Sequence, residues 1–219
     1  MSDLAHRLAA VQAGVRDAAA QAGRDPASIT TIVVTKFHPA QLVRDLHALG
    51  VRDFGESRHQ EAQPKIAGLA DLGDTTWHFI GQLQSKKAKQ VAAYADVIHS
   101  VDRESLVAPL AGSRVFLQVN LTDDPDRGGV APAGIEALAE SALAAGLDVL
   151  GLMAVAPLGA EPRAAFARVR GLSELLGRTA PSATALSMGM SGDYADAILE
   201  GATHLRIGTA ITGNRPVQG

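Results

Sequence analysis

Short apolar, β-branched runs alternate with segments of helical periodicity along most of the chain. The apolar runs predict eight strands, at Thr31–Thr35, Arg52–Gly55, Thr76–Ile80, Asp96–His99, Arg114–Val119, Leu147–Met153, Ala183–Leu186 and Thr203–Ile207. The segments between them predict helices, at Pro39–Leu49, Arg58–Leu69, Ser85–Tyr94, Arg103–Leu110, Pro132–Ala145, Pro162–Leu176 and Tyr194–Glu200. Before the first strand, apolar residues at helical spacing predict one further amphipathic helix, from about Ser2 to Ala22.

This alternation of strand and helix is typical of a parallel sheet covered by helices. Eight such units favour an α/β fold of the closed (β/α)8 TIM type, with the N-terminal helix as an addition. An open doubly wound sheet is the alternative, but no Gly-x-Gly-x-x-Gly follows the first predicted strand, and that motif is the best sign of a dinucleotide fold. Because no linker or low-complexity tract is evident, we expect residues 1–219 to form a single domain.

Composition excludes several classes of function. The net charge of −3 and the 4% aromatic content give no basic surface for nucleic acid or an anionic membrane. The absence of cysteine excludes disulfides, thiolate catalysis and cysteine-bound metals, and the histidines show no metal-ligand spacing. Charged residues interrupt the N-terminal segment, and no stretch approaches the ~20 apolar residues of a membrane helix. We therefore expect a cytoplasmic protein.

One lysine stands out at the end of the first predicted strand. Lys36 ends the run that begins at Ile29, and Pro39 stops the chain from continuing as a strand. In a parallel barrel the chemistry lies at the carboxyl ends of the strands. A lysine buried there would have a lowered pKa and could form a Schiff base. A surface lysine that simply ends a strand is the alternative, which position alone favours.

Two turns rich in glycine and hydroxyl residues follow the last two predicted strands. They are Ser187–Gly192 and Arg206–Gly213, which would be adjacent loops of a barrel. Glycine amides, hydroxyls and the positive end of a helix can bind an anion, and barrels often hold a phosphate at this place. We favour phosphate binding over the alternative, a pair of tight turns capped by serine.

Two further side chains are candidates for the same site. If the side chains of Lys36 and Arg206 both face the barrel interior, the guanidinium of Arg206 lies near the ligand that Lys36 binds. Beside a pyridine nitrogen, an arginine would keep that nitrogen unprotonated, because it does not give up its own proton. A structural arginine paired with a carboxylate such as Glu56 is an equally supported alternative. His78 could be catalytic, although a hydrogen-bonded core histidine is the favoured interpretation.

Together these motifs resemble the pyridoxal phosphate homeostasis protein family, also called the proline synthase co-transcribed family. The matching segments extend from the first helix to the last turn, and include Val34–Lys36, Phe54–Glu56, Trp77–Gly81 with Leu83–Gln84, Gln118–Asn120, Gly151–Ala154, Leu186–Ser191 with Asp193, and Arg206–Ala210. The pair Ser-Met-Gly-Met-Ser and Arg-Ile-Gly-Thr, in this order, is highly specific. The chain departs from the family pattern at Ser57, at Lys86–Lys87 and at Arg127.

The resemblance implies a barrel like the N-terminal domain of alanine racemase, of fold type III among pyridoxal phosphate proteins. It implies pyridoxal 5′-phosphate (PLP) held as an imine on Lys36. It implies that Ser187, Gly208 and Thr209 hold the phosphate. Arg206 would lie near the ring nitrogen, and Asn120 and Met153 would line the pocket. The departures at Ser57 and Lys86 leave contacts near the ring, or with partners, open.

The resemblance also implies a monomer or weak dimer that buffers or delivers PLP in vitamin B6 homeostasis, with PLP-dependent apo-enzymes as acceptor partners. Alanine racemases add a second domain and an opposite-face tyrosine. This chain ends soon after the last predicted turn, and neither Tyr94 nor Tyr194 is an obvious opposite-face base. We therefore expect binding rather than catalysis. The alternatives are a weak amino-acid racemase that uses Lys36 as its single base, and a class I aldolase in which Lys36 attacks a phosphorylated sugar.

Overall fold

The computed structural model describes residues 2–124 and 126–215. Eight parallel strands form a closed barrel in which each strand pairs with the next along the chain and the last pairs with the first. The strands are β1 (Thr30–Val34), β2 (Asp53–Glu56), β3 (Thr76–Phe79), β4 (Val97–Val101), β5 (Arg114–Gln118), β6 (Asp148–Met153), β7 (Ala185–Ser187) and β8 (His204–Ile207). The α-helices are α1 (Asp3–Gln21), α2 (Ala40–Ala48), α3 (His59–Ala67), α4 (Ala88–Ala92), α5 (Ile135–Ala144), α6 (Pro162–Thr179), α7 (Tyr194–Leu199) and α8 (Thr209–Thr212).

The predicted barrel and all eight predicted strands are confirmed, with ends shifted by a residue or two. The predicted α-helix Arg103–Leu110 is wrong. Two 3-10 turns, Glu104–Leu106 and Ala108–Leu110, stand there, because Pro109 lacks the amide hydrogen that an α-helix would need. Helix α6 runs past its predicted end to Thr179 and stops only before Pro181, whose ring disfavours the helical conformation of the preceding residue.

The N-terminal helix α1 covers the last βα units of the barrel. Its buried stripe of Leu8, Val11 and Val15 has helical spacing, and the helix packs against α7 and α8. A side chain at Gly14 would collide with the hydroxyl of Tyr194, because an ideal Cβ there lies 2.1 Å from that oxygen. Within the described residues, no helix combines the length and the apolar character needed to span a bilayer.

The barrel interior is partly apolar and partly polar. Val97, Phe116 and Met153 form a small apolar cluster there, separate from the larger core between strands and helices. Arg206 pairs in register with Ile32 and is 4% exposed. Barrel interiors are commonly filled by branched apolar side chains. A buried arginine therefore distinguishes the region beneath the barrel mouth from an apolar barrel core.

Candidate functional site

Lys36 lies beyond the end of β1 in a turn that is anchored on both sides. Thr35 Oγ1 donates to Glu56 Oε1 at 2.8 Å, and the amide of Phe37 donates to Glu61 Oε2 at 3.3 Å. Phe37 has φ +68°, the left-handed conformation, which is costly for a bulky residue and persists only where surrounding contacts enforce it. The side chain of Lys36 is exposed, as its position at a strand end favoured, and it is not the buried lysine considered beside that interpretation. Lys36 is exposed because it lies beyond the end of β1, in a turn at the rim of the barrel.

A buried ion pair supports this turn from below. Lys65 Nζ donates to Glu56 Oε1 at 2.7 Å and to the carbonyl oxygen of Thr35 at 2.9 Å. The side chains of Glu56 and Lys65 are 1% and 9% exposed. The alternative that Glu56 pairs with Arg206 is therefore wrong. Neighbouring residues of a strand face opposite sides, so Glu56 faces α3 while Gly55 faces the barrel interior.

Lys36 lines a cavity of about 180 Å³ with the residues that follow β8. Gly208 and Thr209 form one wall, and Val34 and Phe37 contribute apolar surface. Lys36 follows β1 and Gly208 follows β8, and the two turns are neighbours because β1 and β8 pair in the closed barrel. These three residues, Lys36, Gly208 and Thr209, were predicted from the sequence to share a site.

Positive charge is concentrated around the same cavity. The ring of Phe37 has Arg215 at 4.1 Å, Arg58 at 5.5 Å and Lys36 Nζ at 6.0 Å from its centroid. Arg58 forms an ion pair with Glu61 at 2.8 Å, whereas Lys36 and Arg215 both line the cavity. Cations at one concave surface raise the local concentration of anions. The arrangement therefore suits a small anionic ligand.

The turns after β7 and β8 meet, as their sequence predicted. Ser191 Oγ accepts a hydrogen bond from the amide of Ala210 at 3.2 Å, in the first turn of α8. Gly189 has φ +92°, and a Cβ there would lie 2.6 Å from the Cβ of Ala197, so the turn needs glycine. Thr209 is exposed at the first position of α8. The predicted phosphate-binding turn Ser187–Gly192 included Ser191, but only Ser187 was singled out in it.

Ser187 lies elsewhere, inside the barrel. It is fully buried at the end of β7, and it does not line the cavity of Lys36. Its Oγ accepts from Arg206 Nη1 at 2.6 Å and lies 2.8 Å from His99 Nδ1. The hydroxyl implied by the resemblance to hold a phosphate is thus engaged by two buried side chains.

Arg206 is held by neutral oxygens. Its Nη2 donates to the carbonyl oxygen of Ala154 at 2.8 Å, beside the bond to Ser187, and no carboxylate among the described residues forms an ion pair with it. Burial lowers the pKa of Arg206 to about 10, against a smaller upward effect of Asp193. The guanidinium therefore remains charged at neutral pH, as a fixed buried cation.

Asn120 and Met153 occupy different surroundings. Asn120 Nδ2 donates to the carbonyl oxygens of Asp124 and Arg127, and its Oδ1 accepts from the amide of Thr122, so its amide orders the loop after β5. It lines a separate cavity with Gln82. Met153 is 2% exposed, in the interior apolar cluster. The structure thus groups Lys36 with Gly208 and Thr209, and Ser187 with Arg206, and places Asn120 and Met153 apart.

His78 is a core histidine, as favoured from the sequence. It is 3% exposed and contacts His99 and Asp53 through its two ring nitrogens. Among residues 2–124 and 126–215, no three His, Asp or Glu side chains are arranged to hold a metal ion.

Comparison with known proteins gives the family. The pattern of the family described as "Alanine racemase, N-terminal domain" matches residues 7–216. A protein of Pseudomonas aeruginosa named pyridoxal phosphate homeostasis protein is 45% identical, over 98% of this chain and 97% of its own. The protein of the same name from Escherichia coli is 37% identical, over 98% of each chain.

Solved structures agree with this assignment. The structure of PipY from Synechococcus elongatus with PLP bound has a TM-score of 0.82 and 38% identity, covering 96% of this chain and all of that chain. Alanine racemase from Corynebacterium glutamicum has a TM-score of 0.68 at 18% identity, covering 97% of this chain and 62% of that chain, which shows the fold alone. The chain therefore belongs to the pyridoxal phosphate homeostasis protein family, and its barrel to the alanine racemase N-terminal domain family.

Proposed function

We propose that this protein binds pyridoxal 5′-phosphate at the barrel mouth and takes part in PLP homeostasis by buffering or delivering the cofactor. The observation that carries the proposal is the cavity that Lys36 shares with the start of α8, Gly208 and Thr209. The donor set fits the cofactor, because a primary amine suits an aldehyde and a helix start with a hydroxyl suits a phosphate. PLP bound to PipY, at 38% identity, supports it.

Each residue has a defined part in this proposal. When bound, PLP supplies an aldehyde that condenses reversibly with a primary amine, which here is Lys36 Nζ. Gly208 and Thr209 would hold the phosphate together with Ser191, which we assign in preference to Ser187 because Ser191 lies at the α8 start. Arg206 would face the ring nitrogen as a permanently charged donor. Asn120 and Met153 remain proposed members of the pocket wall.

The surroundings of the tyrosines favour binding over turnover. Tyr194 lies over Gly14 of α1, and Tyr94 stacks on His59 with ring centroids 5.9 Å apart. Burial, with a smaller effect of Glu56, raises the pKa of Tyr94 above its usual value. Neither tyrosine lines the cavity of Lys36. The lining does contain His38, which follows Lys36 in the same turn. Because neither tyrosine stands there as the opposite-face acid or base of a racemase, the site suits reversible binding better than proton exchange on a substrate.

A transfer assay tests delivery. The protein is loaded with PLP, freed of excess by gel filtration, and mixed with the apo-form of a PLP-dependent enzyme, with and without a phosphatase that destroys free PLP. We expect the acceptor enzyme to be reactivated. Reactivation that the phosphatase does not affect would indicate transfer by contact, and reactivation that the phosphatase abolishes would indicate release of free PLP. A protein that retains no PLP after gel filtration would contradict the proposal.

Exchange of the α-proton separates a carrier from a racemase. Alanine or serine is incubated with the loaded protein in deuterium oxide, and deuterium at the α-carbon is followed by NMR. The proposal predicts no exchange above that of free PLP. Exchange that requires Lys36, and is lost in Lys36→Arg, would favour the racemase.

A further inference from the structure

A continuous chain of hydrogen bonds crosses the barrel interior from β2 to β8. Asp53 Oδ1 lies 3.0 Å from His78 Nε2, and His78 Nδ1 lies 2.9 Å from His99 Nε2. His99 Nδ1 lies 2.8 Å from Ser187 Oγ, which accepts from Arg206 Nη1 at 2.6 Å. Asp53 is partly exposed at the start of β2, whereas the other four side chains are buried. The chain therefore links the amino end of the barrel to the cation beneath its mouth.

One arrangement of protons gives each of these contacts a donor and an acceptor and also leaves no donor of the hydrogen-bond chain, the Ser187 hydroxyl included, without a partner. A guanidinium only donates, so Ser187 Oγ accepts from Arg206. His99 is the other hydrogen-bond partner of this oxygen among the described residues, so the Ser187 hydroxyl donates to His99 Nδ1. His99 then carries its proton on Nε2 and donates to His78 Nδ1. His78 in turn carries its proton on Nε2 and donates to Asp53.

The groups at both ends of the hydrogen-bond chain, Arg206 and Asp53, fit the same direction of proton donation. An ionised carboxylate only accepts, which is the part left for Asp53 once the guanidinium of Arg206 sets the other end. Both imidazoles are neutral in this arrangement, because an added proton would place two donors against each other. Burial, the largest cause, lowers the pKa of His99 well below its usual value, and the charge of Arg206 acts in the same direction, in agreement with a neutral ring.

We propose that His78 and Asp53 are remote positioning residues for Arg206. Through His99 they hold Ser187 Oγ as the acceptor that, with the carbonyl oxygen of Ala154, fixes the guanidinium. Two neutral acceptors give an arginine a weaker hold than a carboxylate pair would, so the orientation of Arg206 depends on the correct direction of the chain. The effect on PLP rests on the proposed function, but the direction of the chain does not.

Three substitutions distinguish the effect of breaking the hydrogen-bond chain from the effect of altered packing. His78→Phe keeps a ring but removes the acceptor for His99 Nε2. His78→Asn restores an acceptor near the position of Nδ1. His204→Phe is the matched control, since His204 is an interior histidine 6.3 Å from His99 between ring centroids, and its bond to Thr203 Oγ1 lies outside the chain.

The primary test is NMR of the PLP-free protein with ¹⁵N-labelled histidine and arginine at neutral pH. We expect His78 and His99 to be neutral and protonated on Nε2, and the Arg206 Nη signals to be separate because rotation is hindered. In His78→Phe we expect His99 to lose its single tautomer and the Arg206 signals to average. His78→Asn and His204→Phe should both resemble the wild-type protein.

PLP titration of the same proteins gives the functional readout. We expect affinity to fall by about tenfold in His78→Phe and to stay within about threefold of wild type in the other two, since one hydrogen bond to a charged group is at stake. His99 protonated on Nδ1 in the wild type, or Arg206 signals unchanged in a folded His78→Phe, would overturn the proposal. If His78 and His99 have the expected tautomers but the protein fails to bind PLP, the proposed function is contradicted and the direction of the hydrogen-bond chain is supported.

Discussion

The hydroxyl of Thr209 is exposed at the first position of α8, on the wall of the Lys36 cavity. Thr209→Val should weaken PLP binding by about ten- to 150-fold, because a hydrogen bond to a charged group contributes about 1.5–3 kcal/mol. Titration followed by visible absorbance measures the effect. Thr31→Val, in β1 below the barrel mouth, is the matched control and should bind as wild type. Equal affinities of the two variants would remove Thr209 from the phosphate site.

The buried pair of Glu56 and Lys65 anchors the turn of Lys36. Lys65→Met should destabilise the protein by about 3–5 kcal/mol, because it leaves the Glu56 carboxylate buried without its partner. The double variant Glu56→Gln with Lys65→Met should regain much of this loss. Urea unfolding measures both.

An exposed ion pair serves as the control for that cycle. Arg44→Met removes the pair with Asp71, which lies at the surface and should leave the free energy of unfolding almost unchanged. A double variant no more stable than Lys65→Met alone would show that the loss comes from packing and not from the unpaired carboxylate.

The residue scale is also where prediction from sequence was least complete. The position of Lys36 at a strand end was enough to single it out, but the exposure of its amine depends on a turn with a left-handed Phe37. Ser187 and Ser191 belong to one short motif, and only the point where β7 ends separates them. Because β7 includes Ser187, that side chain faces the interior, whereas Ser191 lies in the turn.

At the scale of elements, periodicity located the strands because each has an apolar run of its own. Two features escaped it. Helix α8 is one turn long, too short for a helical pattern to show. The segment Arg103–Leu110 has helical spacing, but its proline divides it into 3-10 turns. Hydrophobic patterns also do not reveal where the backbones of two neighbouring strands approach each other so closely that only glycine fits.

Gly151 in β6 makes one of these approaches. Its φ is +156°, and a Cβ there would lie 1.8 Å from the carbonyl oxygen of Ala185 on the paired strand β7. Gly151→Ala should therefore cost more than about 2 kcal/mol, measured by urea unfolding. Gly171→Ala is the contrasting variant, since nothing lies within 4 Å of an added Cβ in α6, and it should stabilise by about 0.5–1 kcal/mol. Equal effects would contradict this account of β6.

At the scale of the whole molecule, the buried histidines make stability depend on pH. The pKa of His204 is lowered to about 4, chiefly by burial, and that of His99 lies well below its usual value. Unfolded histidine titrates near 6.5, so below that pH the unfolded chain binds protons that the folded barrel does not. Stability should fall as the pH drops from about 6.5 to about 4, by up to about 1.4 kcal/mol per unit for each histidine.

Urea unfolding at several pH values between 7.5 and 4.5 measures this dependence. His204→Gln should flatten the curve by the share of one histidine, whereas His6→Gln, on the exposed face of α1, should leave its slope unchanged. Constant stability between pH 7 and 5 would mean that the interior histidines take up protons in the folded state.

The barrel as a whole could be predicted from the alternation of elements, whereas its polar interior could not. The contact between His99 and Ser187 joins residues 88 positions apart. No local pattern carries that information, because it arises only when β4 and β7 face each other across the closed barrel. The single-domain organisation of residues 1–219 and the roles of the site residues stay predictions.

Borohydride reduction followed by peptide mapping shows whether Lys36 is the anchor of PLP. The protein is incubated with a stoichiometric amount of PLP, reduced and digested. We expect a phosphopyridoxyl group on the peptide that contains Lys36. It should be lost in Lys36→Arg and retained in Lys89→Arg, which changes an exposed helix lysine. A label spread evenly over Lys86 and Lys89, or present in Lys36→Arg at the wild-type level, would contradict it.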